Sequence, residues 1–285
     1  MVFALCGGDV RQSRLAGLLL EDGHGVRSWA LEKAELPGGV RACETAAEAL
    51  EGAGCLLLPM PVSMRSGLLN APLSEGTHCL GEVFAALGPG QSVCGGMVNA
   101  ETRAVAEGFG VRVLDYGKRE ELLAANAVAT AEGAIGVLLT ETDRALWNRR
   151  TLVTGWGRVA RALAPRLKAL GMEVTIAARK PGDRAWAAAW GFRTADTERL
   201  AQALRGCEIV VNTVPALLLT ASRLAELDSD AVVLDLASAP GGTDFEAARA
   251  FGIRALTAPG LPGKWAPLTA AEAVRDAVYN ILEVG

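Results

Sequence analysis

Short apolar segments alternate with helical patterns from one end of the chain to the other, and this alternation is what most limits the possible folds. Segments such as Ile209–Asn212 and Val232–Asp235 are apolar until their last residue, which is typical of strands in parallel sheets that helices cover on both faces. The predicted strands are Phe3–Cys6, Val26–Trp29, Cys55–Leu58, Ser92–Cys94, Val111–Leu114, Thr151–Thr154, Val174–Ala177, Ile209–Asn212, Val232–Asp235 and Arg254–Leu256. The predicted helices include Arg11–Glu21, Thr45–Glu51, Ala100–Phe109, Val159–Leu170, Glu198–Leu204 and Phe245–Phe251.

Ten strands are too many for one compact twisted sheet, so we divide them into five and five. We expect an α/β fold with two doubly wound parallel-sheet domains, the first flavodoxin-like and the second of the Rossmann type. An Ala-, Glu- and Leu-rich segment, residues 118–146, is predicted to be a bridging helix of about 40 Å. The first domain then comprises residues 1–117 with a returning helix in 268–285, and the second comprises residues 147–267.

The composition excludes several classes of protein. With 285 residues, 51% of them hydrophobic, the chain can bury a large core, and a net charge of −4 provides no basic field for nucleic acid. Six scattered cysteines and two histidines do not suggest a metal site. No uninterrupted run approaches about 18 apolar residues, and Met1–Cys6 is typical of a first strand rather than of a signal peptide. We therefore expect a soluble cytoplasmic protein without a membrane span or a metal.

The most informative motif is Gly155-x-Gly157-x-x-Ala160, which follows a predicted strand and precedes a predicted helix. In this context it is the dinucleotide fingerprint, because the glycines permit a tight turn and a close approach of the pyrophosphate to the helix N-terminus. We assign this turn to a cofactor site. Its residues are Gly155, Trp156, Gly157, Arg158 and Val159.

The type of cofactor is indicated by the end of the next strand. An Asp or Glu there would bind the ribose hydroxyls and select NAD, but this chain has Arg179 and Lys180, with Arg184 shortly after them. Cations at this point suit a 2′-phosphate, so NADP is favoured over NAD.

Polar residues also end the following strands, at Asn212 and Asp235. The carboxyl ends of parallel strands meet at one edge of a sheet, so we expect both segments to line the ribose and the nicotinamide. The further cofactor-binding residues that we predict are Thr213, Val214, Pro215, Leu236, Ser238 and Pro262.

Several phrases together resemble the A chain of dipicolinate synthase, and they occur in order over almost the whole chain. They are Gly7-Gly-Asp-Val-Arg-Gln12, Asn126-Ala-Val-Ala-Thr-Ala-Glu-Gly133, Gly155-Trp-Gly-Arg158, Asn212-Thr-Val-Pro215, Asp235-Leu-Ala-Ser-Ala-Pro-Gly-Gly-Thr-Asp-Phe245 and Ala258-Pro-Gly-Leu-Pro-Gly263. That family is similar in architecture to the two-domain 2-hydroxyacid dehydrogenases. The resemblance implies an NADP-linked oxidation of a dihydrodipicolinate to dipicolinate in spore-forming bacteria. It also implies that a flavoprotein-like B subunit is a partner, and we expect a homo-oligomer.

The substrate implied by this resemblance is a small dicarboxylate, which needs cationic or multi-donor partners when it is buried. Strand ends of the first domain offer such groups. The predicted substrate-binding residues are Asp9, Arg11, Gln12, Ser63 and Arg65.

Oxidation of a dihydropyridine removes a hydride and a proton, so the cofactor carries the difficult chemistry and the protein supplies orientation and a base. Glu132 on the bridging helix is the first candidate for the base, with Asn126 and Thr130 as positioning groups. Asn126 and Thr130 share a helix face, whereas Glu132 is displaced around the helix unless the helix breaks near Gly133. A structural role for Glu132 in hydrogen bonding is an equally good interpretation.

Two other functions remain open from the sequence. One is an NADP-linked imine or keto-acid reductase on the same scaffold, and the other is a non-catalytic nucleotide-binding subunit of a complex. Residues 79–285 contain no histidine, which disfavours the acid–base mechanism of a 2-hydroxyacid dehydrogenase.

Overall fold

The computed structural model describes residues 1–284, which form two parallel sheets of six strands each. Two compact units result. Unit one is Met1–Asn126 together with the segment that begins at Ala266, and unit two is Ala127–Trp265. The strands are β1 (Val2–Cys6), β2 (Gly25–Trp29), β3 (Arg41–Ala42), β4 (Cys55–Leu57), β5 (Ser92–Gly95), β6 (Val113–Asp115), β7 (Arg150–Thr154), β8 (Glu173–Ala177), β9 (Arg193–Ala195), β10 (Ile209–Asn212), β11 (Val232–Asp235) and β12 (Arg254–Thr257).

Helices connect these strands throughout, as parallel pairing requires. The helices are α1 (Val10–Glu21), α2 (Ala46–Leu50), α3 (Leu80–Ala85), α4 (Ala100–Gly108), α5 (Glu120–Glu141), α6 (Arg158–Ala169), α7 (Pro181–Ala189), α8 (Leu200–Leu204), α9 (Ala221–Leu224), α10 (Phe245–Ala250), α11 (Leu261–Trp265) and α12 (Pro267–Val284), with 3-10 turns at Tyr116–Lys118 and Thr197–Arg199.

The sheet of unit one has the order β3-β2-β1-β4-β5-β6. Its central strand β1 is buried on both sides, because Phe3 and Leu5 face the cluster that contains α1 and α12, whereas Ala4 and Cys6 face the opposite cluster. Without β3 the order is that of a flavodoxin-like sheet, as predicted, and β3 extends it to the Rossmann order.

The sheet of unit two has the order β12-β11-β10-β7-β8-β9, which is the Rossmann order. The helices α6, α7 and α11 and the second part of α5 cover one face, while α8, α9 and α10 cover the other. The predicted fold class is therefore confirmed. In this sheet the strand order reverses between β7 and β10, so the ends of these two strands flank the crevice where such sheets bind ligands.

Sequence patterns missed the edge strands β3 and β9. They have only two and three residues, Arg-Ala and Arg-Thr-Ala, most of them exposed. A buried strand is recognised by its apolar run, and neither segment has one. The bridging helix is also shorter than predicted, since α5 has 22 residues and ends at Glu141.

Helix α5 is long and apolar enough to cross a membrane by length and composition alone, with a mean hydropathy of 1.7. Counting uninterrupted runs did not show this, because polar residues interrupt its alanines and leucines. Core helices pass the same test, and 39% of the apolar window of α5 is buried within the molecule. Leu122 belongs to a hydrophobic cluster of unit one, and Ala134 and Leu138 belong to a cluster of unit two.

Candidate functional site

The turn after β7 requires glycine at its first position. Gly155 has a φ of 89°, and a Cβ atom there would lie 2.7 Å from the Thr213 Oγ1. Both the left-handed backbone and this close approach exclude larger residues. The turn thus brings the end of β7 against the loop that follows β10.

The N-terminus of α6 is open to a ligand. Gly157 is the N-cap residue, and no side chain in the described part of the chain caps the first turn of the helix. A Cβ atom at Gly157 would meet no atom within 4 Å, so there is room for a ligand beside the backbone. Unpaired N–H groups and the helix dipole at such an end bind anions, and the geometry fits the pyrophosphate of a dinucleotide.

The other residues assigned to this turn differ in what they offer. The Trp156 ring is only 4% exposed and packs edge-on against Trp190 and Phe192, with ring centroids 5.5 and 5.7 Å away. Its indole is thus part of the core, so a contact of Trp156 with a cofactor would be made by its backbone. Arg158 is exposed and Val159 half-buried at the start of α6.

Two cations stand at the end of β8 without an internal partner. The Arg179 and Lys180 side chains are exposed, and neither forms a hydrogen bond or ion pair to any of residues 1–284. Arg184 is different, since its guanidinium donates to the carbonyl oxygens of Ala178 and Arg179, both at 2.8 Å, and pairs with Asp196 at 2.7 Å. Arg184 therefore holds the turn that presents the other two cations.

A row of buried polar side chains crosses the sheet beneath this site. Thr154 Oγ1 donates to Asn212 Oδ1 at 2.5 Å, and Asn212 Nδ2 donates to Asp235 Oδ1 at 2.9 Å. The three residues are at most 2% exposed. From their positions at strand ends, Asn212 and Asp235 were expected to line the ligand crevice. They do not, because their side chains form hydrogen bonds within the protein.

This polar row also ties down the loops after β10 and β11. Asn212 Oδ1 accepts from the backbone of Val214 at 3.1 Å, and Asp235 accepts from the N–H groups of Ala237 and Gly242, both at 2.9 Å. Thr154 and Gly242 have functions here that sequence reasoning missed. The available signal was that three predicted strands of the second domain each end in a polar residue.

The remaining predicted cofactor residues lie on these loops and on α11. The Thr213 hydroxyl donates to the carbonyl oxygen of Thr154 at 2.6 Å. Pro215 and Ser238 are exposed, whereas Val214, Leu236 and Pro262 are half-buried. All but the Thr213 hydroxyl thus have surface left for a ligand.

The corresponding turn of unit one is filled by its own side chains. Asp9 caps α1 by accepting from the Arg11 N–H at 3.0 Å, and its carboxylate binds the Arg11 guanidinium at 2.7 Å. Burial raises the pKa of Asp9, but the hydrogen bonds and charge of Arg11 lower this pKa by more, so it lies below its ordinary value. Arg11 also donates to the carbonyl oxygen of Met60 at 2.5 Å.

Most of the predicted substrate-binding groups therefore have internal partners. Besides the Asp9–Arg11 pair, the Gln12 amide is buried and donates to the carbonyl oxygen of Leu57 at 3.3 Å. Ser63 Oγ donates to the carbonyl oxygen of Arg65 at 2.6 Å. Only the Arg65 side chain is exposed and makes no hydrogen bond within the described part of the chain.

The three predicted catalytic residues lie on α5, which continues through Gly133 without a break. Asn126 and Thr130 are half-buried and share a helix face. The Glu132 side chain is 61% exposed and pairs with Arg166 on α6, with 3.4 Å between Oε1 and Nη2. Glu132 therefore does not join the face that carries the other two. Within residues 1–284, no group of three or more His, Cys, Asp or Glu side chains could hold a metal ion.

Comparisons with known proteins cover both units. Residues 2–117 match the family model for the N-terminal domain of the dipicolinate synthase A chain. Residues 136–240 match the model of the D-isomer specific 2-hydroxyacid dehydrogenase, NAD binding domain. The second match contains both the glycine turn and the cations after β8.

The chain is also similar to whole proteins over nearly its full length. It is 28% identical to the dipicolinate synthase A chain of Bacillus subtilis (strain 168) over 282 residues, which are 98% of this chain and 95% of the relative. The crystal structure of the dipicolinate synthase A chain from Bacillus halodurans has 30% identity and a TM-score of 0.90, covering 99% of this chain and 97% of that one. For the crystal structure of the Bacillus subtilis protein the identity is 26% and the TM-score 0.88, with coverages of 99% and 96%.

Proposed function

This chain belongs to the family of dipicolinate synthase A chains, and from that premise we propose that it oxidises a dihydrodipicolinate to dipicolinate with NADP. Unit two contains a nicotinamide-binding domain of the dehydrogenase type, so the chain is an oxidoreductase. The choice of NADP and the identity of the substrate are the parts that we add.

The observation that supports NADP is a pair of exposed cations at the end of β8, Arg179 and Lys180, whose side chains have no partner among residues 1–284. An acidic residue at this position would accept hydrogen bonds from the ribose and repel a 2′-phosphate, whereas arginine and lysine attract that phosphate. The open N-terminus of α6 lies one strand away, after β7, and suits the pyrophosphate. The two anionic parts of the cofactor thus each have a matching group.

The proposed reaction removes a hydride and a proton from the dihydropyridine ring and leaves the aromatic pyridine. When bound, the nicotinamide supplies the hydride acceptor, and aromatisation supplies the driving force. Glu132 remains our candidate for the proton acceptor, with Asn126 and Thr130 as positioning groups. Of the proposed substrate-binding residues, Arg65 has the cation available to a carboxylate, while Asp9, Arg11, Gln12 and Ser63 are held by hydrogen bonds within unit one.

The family relationship also supports a biological setting. We propose that the protein acts in the cytoplasm of sporulating cells, that it forms a homo-oligomer, and that its partner is a flavoprotein-like B subunit. Co-purification with that partner tests the association independently of the chemistry.

The decisive experiment compares wild-type protein with Arg179→Glu, using NAD and NADP in turn and following formation of the reduced cofactor. The wild type should oxidise dihydrodipicolinate faster with NADP. Arg179→Glu should lose about tenfold or more of the NADP preference, because a charge-assisted contact to the phosphate is replaced by repulsion. An unchanged preference would show that the phosphate does not bind here.

A wild type that binds NADP but never turns over, even when the B subunit is present, would instead support a non-catalytic role. Turnover of imines or keto acids in place of dihydrodipicolinate would support the reductase alternative.

A further inference from the structure

Three neighbouring strands of unit two end in polar residues at the same level of the sheet. Thr154, Asn212 and Asp235 are the last residues of β7, β10 and β11, and Asn212 is in register with both of the others. Every other residue of β10 and β11 is apolar and buried. Three polar side chains in so apolar a layer are stable only because each is hydrogen-bonded.

The hydrogen bonds of this row are directed outwards into two loops. From Asn212 they reach Val214, and from Asp235 they reach Ala237 and Gly242. A side chain at Gly242 has no space, since its Cβ would lie 2.5 Å from the carbonyl oxygen of Val214. The two loops are therefore packed against each other and against the end of the sheet.

These loops lie on one side of β7, and the cations after β8 lie on the other. A dinucleotide bound across the reversal of strand order has one nucleotide on each side of it. If Arg179 and Lys180 hold the adenosine phosphate, the loops after β10 and β11 face the nicotinamide half.

We propose that Asp235, through Asn212 and the loops that both hold, is a positioning residue for the nicotinamide half of the cofactor. The inference rests on the proposed function in one respect, namely that NADP binds to unit two. Asp235 itself touches no ligand, and it acts by fixing the backbone of residues 236–242, while Asn212 fixes residues 213–215.

The test uses Asp235→Asn and two probes, NADP and adenosine 2′,5′-bisphosphate, with binding measured by calorimetry. Asparagine keeps the shape of the side chain, but its amide N–H₂ group faces a backbone N–H that the carboxylate of Asp235 had bound. The loop is then held less firmly, so NADP binding should weaken about tenfold. The bisphosphate contacts only the adenosine side and should bind as tightly as it does to the wild type. Equal weakening of both probes would show general structural damage and overturn the inference, as would unchanged binding of NADP.

A matched pair at Thr154 separates hydrogen bonding from packing. Thr154→Val keeps the shape and removes the donor to Asn212, whereas Thr154→Ser keeps the donor and removes a methyl group. We expect NADP affinity to fall about threefold in the valine variant and to be retained in the serine variant. The reverse order would contradict a role of the polar row. Failure of the wild type to bind either probe would instead contradict the proposed cofactor.

Discussion

The first strand of each unit is followed by a glycine turn and a helix of twelve residues, α1 in unit one and α6 in unit two. The two sheets also share one strand order. The turns nevertheless differ in what occupies the helix N-terminus. In unit one the Asp9 carboxylate is hydrogen-bonded there, whereas in unit two the N-cap is Gly157 and the space beside it is open.

The cations near the two turns differ in the same way. Arg11 in unit one is neutralised by Asp9 and also bound to a carbonyl oxygen. In unit two Arg179 and Lys180 are exposed, and an arginine further along, Arg184, carries the internal contacts. The same fold thus supports an internally closed turn and an open one, and the difference lies in a few side chains.

Giving unit two the cap of unit one tests this difference between the two turns most directly. In Gly157→Asp the new carboxylate should occupy the N-terminus of α6 and repel the pyrophosphate, weakening dinucleotide binding by roughly 100-fold. The backbone of Gly157 is extended, with a φ of −83°, so aspartate fits without strain. Aspartate is also a better N-cap than glycine, and the melting temperature should stay the same or rise.

The control for this variant is Gly157→Ser, which caps the helix without a negative charge and should weaken binding less. Calorimetry with NADP and thermal unfolding of the same samples measure both effects. Wild-type affinity in Gly157→Asp would mean that the pyrophosphate does not bind at this helix end.

Sequence patterns predicted the parts of this molecule that depend on local periodicity and on glycine. Apolar runs identified ten of the twelve strands within residues 1–284, and the fingerprint located the turn of unit two. Pairing between side chains is not encoded in this way, even between close neighbours. Asp9 lies two residues before Arg11, but the sequence does not show whether its carboxylate faces solvent, a ligand or Arg11.

The same limit of local sequence patterns explains why the functions of Asn212 and Asp235 differ from those expected. Their position at strand ends was read correctly, but a side chain there can point into the ligand crevice or sideways along the sheet. The register of β10 between β7 and β11 decides this, because it places the three polar ends next to one another. This register depends on contacts between residues 58 apart, for β7, and 23 apart, for β11, which a local pattern does not contain.

The closed turn of unit one can be examined through its ion pair. Asparagine is as good an N-cap as aspartate, so Asp9→Asn should remove the ion pair with Arg11 and keep the cap. We expect a loss of about 1 kcal/mol in the free energy of unfolding at neutral pH, a modest value because the pair is partly exposed and screened.

The pH dependence of this loss has a definite sign. Because the pKa of Asp9 is lower in the folded state, its contribution is present above the ordinary pKa of 3.8 and is lost as the pH falls through the folded value. Urea unfolding of the wild type and of Asp9→Asn should therefore give free energies of unfolding that converge once the pH is below the pKa of Asp9 in the folded state. A constant difference at all pH values would show that the charge on Asp9 does not stabilise the turn.

The smallest expected effect concerns the cations of unit two and sharpens the contrast with Arg11. Arg184 binds the carbonyl oxygens on which the direction of Arg179 depends, so Arg184→Met should loosen this turn and lower the preference for NADP over NAD about threefold. Arg193→Met is the control, since Arg193 is an exposed cation of the same unit and its ion pair is with Glu173. If Arg184→Met reduces the preference as strongly as Arg179→Glu, then Arg184 itself contacts the phosphate, and unit two uses its internally paired arginine in a way that unit one does not.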